Sequence, residues 1–226
     1  QYCTLSKRTV FNILAEVHDA MLPFTLEHFG NPSSGHIFGA SSKAAVQSAR
    51  DNVMALIGRT DIGDSYQDMI FTSCGTESDN GAITIALHHY RTRPGATDSD
   101  MGPLPRVITS SIEHPGIINF LLHLQAERRI DLCVLPVDEQ GFISIPQLEQ
   151  ALTPATALVT VMHSNNEVGV IQPMRQISRA VRAFNASSGA DVLLHSDVAQ
   201  SLGALQCSAV QCSAVQCSAP TVLCYL

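Results

Sequence analysis

Phe71-Thr72-Ser73-Cys74-Gly75-Thr76-Glu77-Ser78-Asp79-Asn80 is the stretch on which the reading of the fold turns. It follows the short apolar run Met69-Ile70-Phe71, which predicts a strand, and it leads into Ile83, Leu87 and Tyr90 at helical spacing. A strand that turns over Gly75-Thr76 into a helix leaves several backbone N–H groups unpaired and pointing the same way. With the positive end of the helix dipole and the Thr76 hydroxyl, that geometry suits a phosphate or another anion. Taken alone, Gly-Thr after a strand also reads as a plain turn before a capped helix, so the surrounding chain has to decide.

Upstream, Lys7 to Met21 carries Val10, Phe11, Leu14, Val17 and Met21 at helical spacing and predicts an amphipathic helix. Gly30-Asn31-Pro32-Ser33-Ser34-Gly35 is a turn cluster. Ser41 or Ser42 is positioned to cap a second helix through Ile57, stopped by Gly58. Downstream, strands and helices alternate. Arg91 to Pro105 reads as a surface insertion, Val107-Ile108-Thr109 as a strand and Pro115 to Arg128 as a helix. Leu132–Leu135 is a strand, Ser144 and Pro146 open a helix over Gln147–Leu152, and Ala157–Met162 is a β-rich run. Met174–Phe184 is helical, and Val192-Leu193-Leu194 is a last strand. This alternation predicts an α/β domain with a mostly parallel sheet.

Ligands of such sheets gather beyond the carboxyl ends of the strands. Four polar clusters fall there: Ser73–Glu77, Ser110–His114, His163–Glu167 and His195–Gln200. Each has an ordinary reading by itself. Glu113-His114 before Pro115 serves as a helix cap, Asn165-Asn166-Glu167 with Gly169 as a polar turn, Asp197 as a cap and Gln200 as a solvated amide. Their joint occurrence at predicted strand ends points to one shared site.

Composition narrows the function classes. With 226 residues, 45% hydrophobic and 15% charged, the chain supports one large globular domain rather than a disordered segment. A net charge of −7 without a basic run argues against nucleic acid as the main partner. No apolar run approaches a membrane span. A cytoplasmic protein is therefore expected, with a mitochondrial location as the alternative for a chain that starts at Gln1. Seven cysteines do not make a disulfide scaffold in a chain of this size.

The clusters together resemble the class V aminotransferase superfamily of pyridoxal phosphate enzymes, in its cysteine desulfurase and selenocysteine lyase branch. The resemblance rests on Gly30-Asn31-Pro32-Ser33-Ser34, Phe71 to Ser78, Glu113-His114, Met162 to Gly169, and His195-Ser196-Asp197-Val198-Ala199-Gln200-Ser201-Leu202-Gly203. It implies the fold type I large domain, with a mostly parallel sheet and helices on both faces. It also implies the cofactor pyridoxal 5′-phosphate, a cysteine or selenocysteine substrate, a homodimer in the full-length form and a sulfur or selenium acceptor protein. By the same resemblance, Gly75 and Thr76 hold the cofactor phosphate, and His114 stacks on the ring and moves protons. Asp197 pairs with the ring nitrogen, and Asn166 and Gln200 donate to its phenolic oxygen.

The chain also departs from that family. The family's Schiff-base lysine lies beyond the Asp-x-x-Gln motif, whereas the two lysines here, Lys7 and Lys43, precede every cofactor motif. After Gly203 comes Gln206-Cys207-Ser208-Ala209-Val210, repeated from Gln211 and again from Gln216. The catalytic-loop cysteine, the substrate-carboxylate arginine and the C-terminal small domain have no counterpart. The expected organisation is an N-terminal helical region over 1–25, a partial large domain over 26–205 and a cysteine-rich tail over 206–226 outside the fold. The tail cysteines lack C-x-x-C pairs and neighbouring histidines, so no metal site is expected. Cys74 is read as a packing residue.

Overall fold

The computed structural model describes residues 13–57, 69–93, 103–202 and 222–224. Two helices lead: α1 (Ala15–Leu26) and α2 (Ile37–Leu56). Strand β1 (Met69–Phe71) then enters α3 (Gly75–Thr92). The alternation continues through β2 (Arg106–Ser110), α4 (Pro115–Ala126), β3 (Asp131–Leu135), α5 (Ile145–Ala151), β4 (Thr156–Thr160), α6 (Met174–Ser188) and β5 (Leu193–His195), with β6 at Val222–Cys224. β2, β3, β4 and β5 form a parallel sheet in the order β3-β2-β4-β5, and β1 pairs in parallel with β6.

Parallel strands joined by crossover helices bury both faces of the sheet, so neighbouring residues on one strand point into opposite cores. Ile108, Val159 and Leu194 pack with Leu148 of α5, with Leu152 just after it, and with Met174, Ile177 and Val181 of α6. Their chain neighbours Val107, Leu158 and Leu193 face the other way, against Ile83 and Leu87 of α3 and Ile117, Leu121 and Leu124 of α4. Helices therefore cover both faces, and the order of the strands brings the ends of β2, β4 and β5 side by side. Each large aliphatic side chain buried here stabilises by about 1.5–3 kcal/mol.

Several boundaries differ from the sequence reading for identifiable reasons. α2 starts five or six residues earlier than expected, at Ile37 with His36 as its cap position, and Ser42 is not a cap: its hydroxyl donates to the His28 carbonyl at 2.6 Å. α1 runs on to Leu26, through Pro23, and none of its residues is buried. The amphipathic reading thus finds no described surface to pack on. α4 stops at Ala126 where Arg128 turns left-handed, at φ 56°. α6 continues to Ser188 until Gly189, at φ 70°, ends it. Ser144 caps α5 as expected, accepting from Gln147 N. The expected helix over residues 7–12, the stop at Gly58, most of the 91–105 insertion and the 206–220 repeats lie outside the described residues. No element was anticipated in residues 206–226, where β6 lies beside β1.

Candidate active site

The site is built from the ends of β2, β4 and β5 and the first turns of α3 and α4. In α3 the first backbone bond within the helix runs from Ser78 N to the Cys74 carbonyl, at 3.1 Å. The N–H groups of Gly75, Thr76 and Glu77 precede that ladder and project from the helix end. The Glu77 carboxylate folds back to accept from Ser73 N at 2.7 Å and Ser73 Oγ at 2.5 Å. Those bonds hold its carboxyl below the ordinary carboxylate value and stiffen the turn. Cys74 is exposed, with no side-chain cap bond, so the packing role read from the sequence is not what it does. A small side chain at the start of a helix that opens outward has little to pack against.

α4 is different, because its end has used its donors. Pro115 has no N–H, and Gly116 N donates to His114 Nδ1 at 3.0 Å. A ring nitrogen that accepts carries no proton, which leaves Nε2 as the nitrogen of His114 that bears hydrogen. Of the two helix ends, α3 is the one left to take an anion.

Gly116 brings the two ends together. A Cβ on it would lie 3.0 Å from Thr76 Oγ1 and 3.1 Å from His114 Nδ1. Only glycine lets the start of α4 approach Thr76 and His114 this closely without displacing one of them.

Glu113 anchors the loop that carries His114. Its carboxylate accepts from Met162 N at 3.0 and 3.1 Å and from Ser110 Oγ at 2.6 Å. Beside it, Asn165 Nδ2 donates to the Ile112 carbonyl at 2.9 Å. The loop after β4 is in turn tied to the end of β5: His163 N donates to the Asp197 carbonyl at 2.8 Å, and Ser196 Oγ to the Val161 carbonyl at 2.8 Å. Asp197 Oδ1 accepts from Ala199 N at 2.9 Å. Among the described residues, Asp197 Oδ2 has no hydrogen-bond partner.

Charge in this region is dominated by buried acids. Burial, reinforced by Asp197 and Glu113, pushes the Asp79 carboxyl up to about 7. Burial also pushes Glu113 up to about 7, against its hydrogen bonds from Ser110 and Met162. Burial drives the His195 imidazole down to about 4, so it is neutral at physiological pH. Its Nδ1 lies 2.9 Å from Thr160 Oγ1 and its Nε2 3.9 Å from Asp79 Oδ1, a contact that is no ion pair while the ring is neutral. Burial lowers His163 as well, and its Nδ1 has no partner among the described residues.

Of the residues singled out from the sequence, Gly75, Thr76 and His114 meet at the two helix ends, and Asp197 lies at the neighbouring strand end, linked to the His114 loop through His163 and Glu113. Asn166 and Gln200 sit on the same two loops, partly exposed, with no bond to the others. It is Asn165 that builds its loop, accepting from Glu167 N and Val168 N in an Asx turn. Gly116, Asp79 and the Glu113 clamp were not assigned roles from the sequence. His-Pro-Gly is a visible signal for the first, whereas no local pattern marks the other two. Among the described residues no group of three or more His, Cys, Asp and Glu side chains could hold a metal ion.

Known proteins match this architecture. The family model for class-V aminotransferases matches residues 11–219. A selenocysteine lyase of Bos taurus is 39% identical over 201 residues, 83% of this chain and 45% of its own length. The cysteine desulfurase IscS of Dictyoglomus turgidum is 34% identical over 188 residues, 83% of this chain and 42% of its own length. Among solved structures, a NifS-like protein superposes with a TM-score of 0.76 at 27% identity, covering 90% of this chain and 50% of its own. SspA in complex with cysteine gives 0.73 at 28% identity, covering 89% and 52%. The chain thus spans less than half the length of the two sequence relatives and about half of the two solved chains.

Proposed function

The chain belongs to the class-V aminotransferase family, and from that premise we propose that it carries the cofactor-binding part of a pyridoxal 5′-phosphate-dependent cysteine desulfurase or selenocysteine lyase. Such an enzyme cleaves the C–S or C–Se bond of L-cysteine or L-selenocysteine and leaves L-alanine. The observation that carries the reading is the junction at Gly116, where Thr76 and His114 are held together beside the open end of α3.

The residues present fit the cofactor in all but one respect. The N–H groups of Gly75 and Thr76 and the Thr76 hydroxyl would hold its phosphate. His114 presents a flat ring whose Nδ1 is already engaged, so it would pack on the pyridine face and exchange any proton through Nε2. Asp197 would offer Oδ2 to a ring N–H, while Oδ1 stays anchored on Ala199 N. Asn166 and Gln200 would donate to the phenolic oxygen. When bound, pyridoxal phosphate supplies an electron-withdrawing ring that stabilises negative charge on the substrate Cα. Asp197 would sustain that withdrawal by pairing with the ring nitrogen and favouring its protonated form.

The missing element is a lysine. Lys43 is exposed on α2 and Lys7 lies outside the described residues; no lysine follows Gln200 in these 226 residues. This favours a second reading, in which the chain is a non-catalytic cofactor-binding or dimerisation fragment or paralogue. For the full-length form we propose a homodimer with a sulfur or selenium acceptor protein, located in the cytoplasm or mitochondria. No described helix is long and apolar enough to cross a membrane.

Equilibrium dialysis of the purified chain against pyridoxal 5′-phosphate tests the cofactor reading. Saturable binding weakened about tenfold or more by Asp197→Ala is expected, from the loss of one charge-assisted hydrogen bond. No saturable binding, or full binding by the variant, would refute it. Alanine release from cysteine or selenocysteine by this chain should not exceed a heat-killed control. Release above that level would overturn the assignment of inactivity.

A further inference from the structure

Three ionisable side chains beside the proposed cofactor site have no part in the scheme above: Asp79, Glu113 and His195. Glu113 has a structural task, accepting from Met162 N and Ser110 Oγ. Asp79 has none of that kind. It lies three residues after Thr76, one turn further along α3, on the same helix that presents Thr76 to the site. The residue is 7% exposed, and its carboxylate accepts no hydrogen bond among the described residues. A carboxyl group buried without donors is costly, and an apolar or amide side chain would fill the place at lower cost. What surrounds it is polar and specific. Asp79 Oδ1 faces His195 Nε2 at 3.9 Å, and the charges of Asp197 and Glu113 act on it directly. β4, packed against α3, has no ionisable side chain, and the only one on α4, His123, is paired with Glu127 at the far end of that helix. Asp197 and Glu113 are charged groups that act on Asp79, and the neutral His195 faces it.

We propose that Asp79 is a positioning residue of the cofactor site, a second negative group that acts through Asp197 to hold the protonated form of a bound pyridine ring. This rests on the cofactor reading above. No bond forms or breaks at Asp79: the ring proton stays on the ring nitrogen, against Asp197. A cation arriving beside Asp197 favours the ionised form of Asp79, and an ionised Asp79 in turn favours the cation. The two sites are linked in this reciprocal way. Thr76 and Asp79 then give one helix two tasks, taking the phosphate at its end and supplying negative potential one turn later.

The test uses the full chain loaded with pyridoxal 5′-phosphate, with Asp79→Asn and Asp79→Ser as variants and folding checked by circular dichroism. The absorption band of the bound cofactor is followed across the neutral and alkaline range to locate the ring-nitrogen titration. Removing the second negative group should lower that midpoint by about one pH unit, the size expected for one nearby charge. A residue that merely filled space would not move it. Wild-type chain that binds no cofactor overturns the cofactor reading and this inference with it. Wild-type chain that binds, with the midpoint unchanged in a folded variant, overturns this inference alone. Should one variant fail to fold, the other decides.

Discussion

At the scale of single residues, the site is governed by ionisable groups that burial has displaced from their ordinary values. Asp79, normally near 3.8, and Glu113, normally near 4.5, are both pushed up to about 7. Below 7 the native state retains protons that the unfolded chain has already released, so this contribution to stability is lost as pH rises through about 7. His195 acts in the opposite sense. Lowered from 6.5 to about 4, it stays neutral where the unfolded chain takes up a proton, and its contribution is lost as pH falls towards 4. Burial moves His163 in the same direction. Between 4.5 and 6.5 the two effects oppose one another, and above 6.5 only the carboxyl groups are still titrating. Urea midpoints should therefore fall between pH 6.5 and about pH 8, with a shallower fall in Asp79→Asn; a flat or rising profile in the wild type would contradict this. Gly116 is the other decisive residue. A methyl group there would press on Thr76 Oγ1 at 3.0 Å and His114 Nδ1 at 3.1 Å. Gly116→Ala should weaken pyridoxal phosphate binding by about tenfold through that displacement, with little change in thermal stability. Unaltered affinity in dialysis would show that the junction is not part of the cradle.

At the scale of elements, two helix ends solve the same geometric problem with different residues. α6 stops at Gly189, where φ is 70° and nothing lies within 4 Å of an added Cβ. α4 stops at Arg128, which takes φ 56° with a side chain attached. Backbone bonds from Arg128 N to the Gln125 carbonyl and Arg129 N to the Leu124 carbonyl close that end. The left-handed region costs a side-chain-bearing residue about 1 kcal/mol relative to glycine. Gly189→Ala should thus destabilise by about 1 kcal/mol, and Arg128→Gly should stabilise by a similar amount, each read from chemical denaturation. The same sign for both would show that backbone conformation is not what limits these ends. The boundary between α3 and α4 matters more for function. The open donors of α3 and the self-satisfied donors of α4 lie against each other, so an anion is directed to one of the two helix ends.

At the scale of the whole molecule, large apolar side chains are left exposed along α1 and at the start of α2. No residue of α1 is buried, and Leu26, Phe29, Ile37 and Phe38 are 70–82% exposed. The sheet of β3, β2, β4 and β5 also ends in two strands, β3 and β5, without a further neighbour among the described residues. Apolar patches and open strand edges favour association. In sedimentation velocity the isolated chain should self-associate or aggregate; a stable monomer across the micromolar range would count against this. Much of this architecture was legible in the chain itself. Period-two and period-3.6 apolar patterns mark the alternating elements because each must bury a face, and Gly75-Thr76, His114 and Asp197 stand out because strand ends and helix starts leave local signatures. Boundaries shifted where a side chain found a distant partner, as Ser42 did in the His28 carbonyl. Asn165-Asn166-Glu167 reads as a polar turn in the sequence, but that Asn165 is the residue closing it as an Asx turn is decided by three-dimensional closure. The sequence alone determined the α/β class and the stretches that supply the site, because these follow from local periodicity and turn chemistry. Only the tertiary structure decided that Thr76 meets Gly116, that Glu113 clamps the β4 loop and that Asp79 lies buried beside His195 and Asp197, because burial and electrostatic coupling are properties of residues far apart in the chain.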